Sequence, residues 1–187
     1  LKIGLLGRGT VGAAFADLVA DRADEVARLT GRRPVVSGVL TRSEGDADQI
    51  IAEADLIVEV MGGTEPAREY VLAALNAGLP VVSANKQLLS RHGRELWAAA
   101  EVAGGQIRFE AAVAAVVPVI RVLSESLSGA QIDRIHGIVN GTTNFILSKM
   151  ASTGASYDAA LAQAQQLGFA EADPSEDVGG ADAAAKM

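Results

Sequence analysis

A chain of 187 residues with 49% apolar side chains is long enough to bury about 70% of its unfolded surface, so disorder is excluded and one domain or one and a half is expected. Sixteen basic against 23 acidic residues leave a formal charge of −7, which argues against nucleic acid or an anionic membrane as partner. The absence of cysteine excludes disulfides, thiolate metal sites and a cysteine nucleophile, and with no apolar run of about 18 residues and no leader pattern a cytoplasmic protein is expected.

Residues 2–6 form a short apolar run ending at Gly7, and residues 10–26 then carry apolar side chains at helical spacing. The pairing recurs. Runs rich in β-branched residues at 35–40, 55–60, 80–83 and 106–110 predict strands, and the stretches 46–53, 65–76 and 86–103 between them predict helices. Strands buried on both faces and separated by helices predict an α/β fold, a doubly wound parallel sheet of Rossmann type over residues 1–112. Beyond Pro118 the rhythm changes. A helix is expected over 119–127, a strand over 132–139, helices over 143–150 and 157–167, then an acidic loop and a last helix from Val178. Residues 113–187 therefore read as the opening of an α+β substrate and dimerisation domain with too few strands to close a sheet. Leu1 at the start and Lys186-Met187 within a predicted helix lead to the expectation of a fragment.

Gly7-Arg8-Gly9-Thr10-Val11-Gly12 fits G-x-G-x-x-G between the first predicted strand and the first helix. Glycines so spaced give a tight turn, let a pyrophosphate approach backbone N–H groups and let helix and strand pack closely, while the helix N-terminus adds partial positive charge. Gly7, Gly9, Thr10, Val11 and Gly12 are the candidate cofactor loop; the alternative is a purely structural turn. A ribose-binding acid is expected at the tip of the second strand, but that tip reads Thr41-Arg42-Ser43. Arg42 is placed to pair with a 2′-phosphate, which favours NADP while leaving NAD possible; the alternative is a solvated loop arginine.

Four further segments stand out, and the last two are more specific than any dinucleotide fold requires. They are Glu59-Val60-Met61-Gly62-Gly63-Thr64-Glu65-Pro66-Ala67, Ser83-Ala84-Asn85-Lys86 and Gly137-Ile138-Val139-Asn140-Gly141-Thr142-Thr143-Asn144. The fourth is Leu167-Gly168-Phe169-Ala170-Glu171-Ala172-Asp173-Pro174, running on through Asp177 to Asp182-Ala183-Ala184-Ala185-Lys186. On these segments the whole chain resembles the homoserine dehydrogenases. The residues also have a physical reading of their own. Asp182 and Lys186 are four apart on the last predicted helix and share a face, and Glu171 and Asp177 precede them as an acidic rim able to bind an amino acid's ammonium. Hydride transfer at an alcohol carbon needs a group that moves the hydroxyl proton; a lysine can do so, and neither His92 nor His136 is placed by a motif for it. Without the motifs, the same acids read as a solvated surface.

The resemblance implies NAD(P)-dependent interconversion of L-homoserine and L-aspartate 4-semialdehyde in threonine, methionine and isoleucine biosynthesis. It implies that Lys186 moves the proton, that Lys86 is a second lysine beside nicotinamide and substrate, and that Gly63 and Thr64 face ribose or nicotinamide. Glu171 and Asp182 would meet the substrate's amino and hydroxyl ends, with Asp177 supporting them. A structural monovalent cation, Na or K, is implied on the backbone carbonyls of Glu110, Val113, Ala115 and Val117, as are a homodimer and a small amino-acid substrate. The chain departs from the family where Ala114-Ala115 stands in a stretch that usually holds a glycine, and in a connection at 41–46 that is about ten residues short. Another Rossmann oxidoreductase acting on a small polar substrate, and a non-catalytic dinucleotide-binding module, stay open as alternatives.

Overall fold

Five parallel strands, β1 (Lys2–Leu6), β2 (Val35–Leu40), β3 (Leu56–Glu59), β4 (Val81–Ser83) and β5 (Ile107–Arg108), form one sheet in the order β2-β1-β3-β4-β5. The computed structural model describes residues 1–187, which divide into two compact units, Leu1–Arg121 and Val122–Met187. The sheet belongs to the first. Its connections are α1 (Thr10–Thr30), α2 (Ala47–Glu53), α3 (Ala67–Asn76) and α4 (Lys86–Ala103). This is the doubly wound arrangement expected from the alternating runs.

The period of two along each strand explains why these runs are nearly all apolar. Ile3 and Leu5 of β1, with Val58 of β3, pack on Phe15, Ala16 and Val19 of α1. Leu6 and Ile57 point to the other face, into a cluster with Val71 and Leu75 of α3 and Leu88 and Leu96 of α4. Leu75, Leu88 and Leu96 are fully buried, and truncating any one to alanine is expected to cost about 2–5 kcal/mol. Strand order reverses between β1 and β3, since β2 lies on one side of β1 and β3, β4 and β5 on the other. In such sheets the crevice for a ligand opens at the carboxyl ends of the strands flanking that reversal.

The fifth strand stops at Arg108, short of the expected 110, because residues from Glu110 onward turn into α5 (Glu110–Ala114). The Glu110 carboxylate then accepts the N–H groups of Ile120 and Arg121 at 2.9 and 3.0 Å, capping α6 (Val119–Arg121). These bonds hold residues beyond 112 in the first unit, which ends at Arg121. The helix expected over 119–127 is in fact α6 followed by a π-helical turn, Val122–Ser126, closed by Leu127 N–H on the Val122 carbonyl at 2.9 Å.

In the second unit α7 (Gly141–Thr153) and α8 (Tyr157–Gln166) share a small core of Ile146, Ala160, Ala164 and Ala170, with the Phe145 and Phe169 rings 5.0 Å apart. The strand expected over 132–139 is absent. A strand needs a neighbour to satisfy its backbone groups, and this unit holds no other extended segment to pair with. Ile132, Ile135 and Ile138 are accordingly exposed. The last helix is also displaced. A short α9 (Ser175–Val178) forms within the expected acidic loop, and Gly179-Gly180, with Gly180 at φ 81°, breaks the helix before α10 (Ala181–Lys186) begins. No helix in the chain is long and apolar enough to cross a membrane.

Candidate active site

At the reversal point of the sheet, the turn from β1 into α1 is built by glycine for steric reasons. Gly7 sits at φ 103°, and a Cβ there would lie 2.9 Å from the Met61 nitrogen. A Cβ on Gly12 would lie 2.1 Å from the Gly7 carbonyl oxygen, so α1 packs directly on its own approach turn. Gly9 faces open space. It is also the N-cap of α1 without a side-chain acceptor, and the first turn contains no acidic residue. By contrast α2, α4, α7 and α8 are each capped by a side chain, from Asp46, Asn85, Asn140 and Ser156. α3, α9 and α10 also start without a side-chain cap, so at α1 it is the glycine turn in front of the free N–H groups that sets this helix start apart. Thr10 and Val11 are exposed beside it, and Val11 lines an open cleft of about 350 Å³ with Met61, Gly63, Asn85 and Lys86.

The wall of that cleft rests on a buried carboxylate. Glu59, the last residue of β3, is fully buried and stands in register with Ser83 at the end of β4. Its Oε1 accepts the Met61 N–H at 2.8 Å and Asn85 Nδ2–H at 3.2 Å, and its Oε2 accepts the Ser83 hydroxyl at 2.6 Å. Asn85 also donates from Nδ2 to the Gly63 carbonyl at 2.7 Å, and its Oδ1 accepts the Leu88 N–H at 3.1 Å as the cap of α4. Lys86 is the first residue of that helix and is half-buried at the cleft. Sequence reasoning quoted Glu59, Ser83 and Asn85 as motif letters and gave them no role. Polar residues ending two neighbouring strands of an otherwise apolar parallel sheet were the signal available.

The remaining expected residues of this unit fall in different surroundings. Arg42 is exposed in the turn after β2, directly beyond Leu40, whose carbonyl accepts the Gly7 N–H at 2.9 Å. That puts the arginine's turn beside the glycine loop. Thr64 is half-buried ahead of α3, and its carbonyl accepts the Arg68 N–H at 2.9 Å. Val113 lies within α5; Ala115, just after it, is the one non-glycine residue with positive φ, at 52°. The Val117 carbonyl accepts the Val119 N–H at 2.8 Å. Both oxygens of the Glu110 side chain are engaged by Ile120 and Arg121. No group of three acidic or histidine side chains is placed to hold a metal ion.

In the second unit one asparagine joins the acidic segment to the start of α7. Asn140 is buried; its Oδ1 caps α7 by accepting the Thr143 N–H at 2.8 Å, and its Nδ2 donates to Asp177 at 2.7 Å and to Asp182 at 2.8 Å. Lys186 Nζ donates to the same Asp182 oxygen at 2.7 Å and to the Val139 carbonyl at 2.8 Å. The structure therefore brings Asp177, Asp182 and Lys186 together. It does not bring in Glu171, whose side chain is exposed while its carbonyl accepts from Gln165 Nε2 at 3.1 Å. Asn140 is the member that sequence reasoning missed; an asparagine three residues before Thr143 at a helix start is a capping signal, but nothing local showed its second use. An ammonium has three protons and Lys186 spends two on these oxygens, so the cluster can present an N–H to a substrate oxygen while its carboxylates face a cationic group.

Comparison with known proteins gives a consistent pattern. The family model for the homoserine dehydrogenase NAD-binding domain matches residues 7–110, and the homoserine dehydrogenase model matches residues 118–187. Homoserine dehydrogenase from Corynebacterium glutamicum is 49% identical over 199 aligned residues, covering 98% of this chain and 45% of the relative. A crystal structure of a homoserine dehydrogenase from Thiobacillus denitrificans gives a TM-score of 0.87 at 42% identity, covering all of this chain and 47% of that one. A hyperthermophilic archaeal homoserine dehydrogenase in complex with NADPH gives 0.86 at 32% identity, covering all of this chain and 67% of that one. The chain spans about half the length of the curated relatives it matches.

Proposed function

This chain belongs to the homoserine dehydrogenase family, and from that premise we propose that the protein interconverts L-homoserine and L-aspartate 4-semialdehyde with NADP(H). The observation that carries the proposal is the Lys186–Asp182–Asn140 cluster, a lysine and a carboxylate held in fixed hydrogen bonds on family motif segments. Bound in the cleft of the first unit, the nicotinamide cofactor supplies or accepts the hydride. The protein supplies the proton and the positioning. In the reducing direction Lys186 gives a proton to the oxygen that becomes the alcohol, and Asp182 holds the lysine in place. Asp177 supports Asp182 through Asn140, and Glu171 contributes a further carboxylate for the substrate's amino end. Lys86, at the cleft, is the second lysine beside cofactor and substrate. Gly63 and Thr64 form the wall toward ribose and nicotinamide, and Arg42 selects NADP by pairing with its 2′-phosphate.

The reading extends to a structural monovalent cation, Na or K, on the carbonyls of Glu110, Val113, Ala115 and Val117. Neutral carbonyls and the sharp turn at Ala115 fit a singly charged ion, and a carbonyl already accepting one N–H keeps a second lone pair. We also place the protein in the cytoplasm, as a homodimer working in biosynthesis of the aspartate-derived amino acids. The test is NADPH oxidation with aspartate semialdehyde and NADP reduction with homoserine by the purified protein. Turnover in both directions is expected; none in either overturns the proposal.

A further inference from the structure

We infer that Glu59 is a positioning residue for cofactor binding, one carboxylate that locks together the two strand-to-helix turns forming the cleft wall. The inference rests on the dehydrogenase reading for its ligand, but its basis is the geometry of the first unit. The turn after β3 contains Gly62 and Gly63, both left-handed at φ 74° and 72°, with nothing within 4 Å of either Cβ position. Two consecutive glycines without side-chain packing do not hold their own conformation. Their carbonyl and N–H groups must be held from outside. Glu59 does so at one end by accepting the Met61 N–H, and through Asn85 at the other, because the same Nδ2 that donates to Glu59 donates to the Gly63 carbonyl.

The turn after β4 is gripped by the same group. Ser83 donates its hydroxyl to Glu59 and accepts the Asn85 N–H at 3.1 Å, and Asn85 caps the helix that opens with Lys86. Three donors from three residues converge on one side chain, and a carboxylate is the side chain with two acceptor oxygens and no proton to conflict with them. A glutamine has the same shape but brings an N–H of its own. If its oxygen keeps Met61 and Asn85, its NH2 meets a Ser83 hydroxyl that must turn away and already accepts from Asn85. The network then survives with weaker acceptance at each point, and the Gly62–Gly63 turn loosens while the buried volume is unchanged.

The experiment compares wild type, Glu59→Gln, Asn85→Ser and the double variant for NADPH affinity by fluorescence, for steady-state constants with homoserine, and for thermal midpoint. The expected result is that E59Q raises the NADPH Kd and KM about tenfold with little change in thermal midpoint. The double variant is expected to bind no more weakly than Asn85→Ser alone, because both substitutions cut one path. Unchanged Kd and KM in E59Q overturn the inference, as does a fall in kcat at constant KM, which would report only a loss of folded enzyme. Additive losses in the double variant overturn it too. If wild type binds NADPH without turning over homoserine, the dehydrogenase reading fails while the Kd series still decides Glu59. If wild type does not bind NADPH, both fall.

Discussion

Lys186 Nζ and Asp182 Oδ2 lie 2.7 Å apart on successive turns of α10, and Asn140 Nδ2 donates to that same oxygen from 42 residues away. The lysine is therefore held by a carboxylate that is itself held. Lys186→Ala is expected to lower turnover by about 10²–10⁴, the usual worth of a positioned proton donor, with NADPH binding unchanged. Asn140→Ala removes both the shared donor and the cap of α7, so kcat falls with a loss of about 1 kcal/mol in stability. Steady-state kinetics and thermal melts of the two variants separate these effects.

Gly9 and Gly12 respond differently to the same added methyl group. At Gly9 a Cβ meets nothing, so Gly9→Ala is expected to fold with an unchanged thermal midpoint and to weaken NADPH binding by blocking backbone approach. At Gly12 the Cβ would overlap the Gly7 carbonyl at 2.1 Å, so Gly12→Ala is expected to lower the thermal midpoint and abolish binding together. Paired melting and fluorescence titrations check both.

Arg42→Ala is expected to lower the ratio of NADP to NAD efficiency by about tenfold, the loss of one charge-assisted pair. The measurement is kcat/KM for each cofactor at fixed ionic strength. An unchanged ratio removes Arg42 from the selection.

Ala115 holds φ 52° and ψ −109°, a region costly for any residue with a Cβ. Ala115→Gly is expected to raise unfolding free energy by about 1 kcal/mol, measured by urea denaturation. The gain is the strain relieved minus the extra freedom glycine brings to the unfolded chain.

Arg68 meets Glu95 through two N–H groups, at 2.7 and 2.5 Å, and these bonds hold the Glu95 carboxyl below its ordinary value. A depressed carboxylate stabilises the fold above its unfolded value of about 4.3 and loses that contribution as pH falls through the lower folded value. Below about pH 4.3, Glu95→Gln is expected to show a shallower fall in thermal midpoint with pH than wild type. The comparison is a melting series across the acid range.

The sheet was legible because burial on both faces writes itself as unbroken apolar runs: Ile3, Leu5 and Leu6, then Ile57 and Val58. The helices were legible as the stretches between those runs, and α4 begins and ends at Lys86 and Ala103 as predicted. The run 132–139 misled because β-branched residues announce a strand only where a neighbour can pair, and pairing is not a local property. Asp182 and Lys186 could be put on one helix face from spacing alone. The donor that joins them to Asp177 could not, since Asn140 stands 37 residues before Asp177 with α7 and α8 between them. Glu59 was hidden for a related reason: its three partners come from β4 and from the turns beyond β3 and β4, which only the folded sheet aligns.

The missing side-chain cap at Gly9 has a consequence for the protein as a folded object. A 21-residue helix on one face of the sheet starts without a side-chain acceptor for its first N–H groups, and under the proposed function a dinucleotide phosphate supplies that acceptor. The cofactor is then a replaceable piece of backbone architecture as well as a reagent. On that reading the cofactor's concentration adds to the stability of the first unit by mass action.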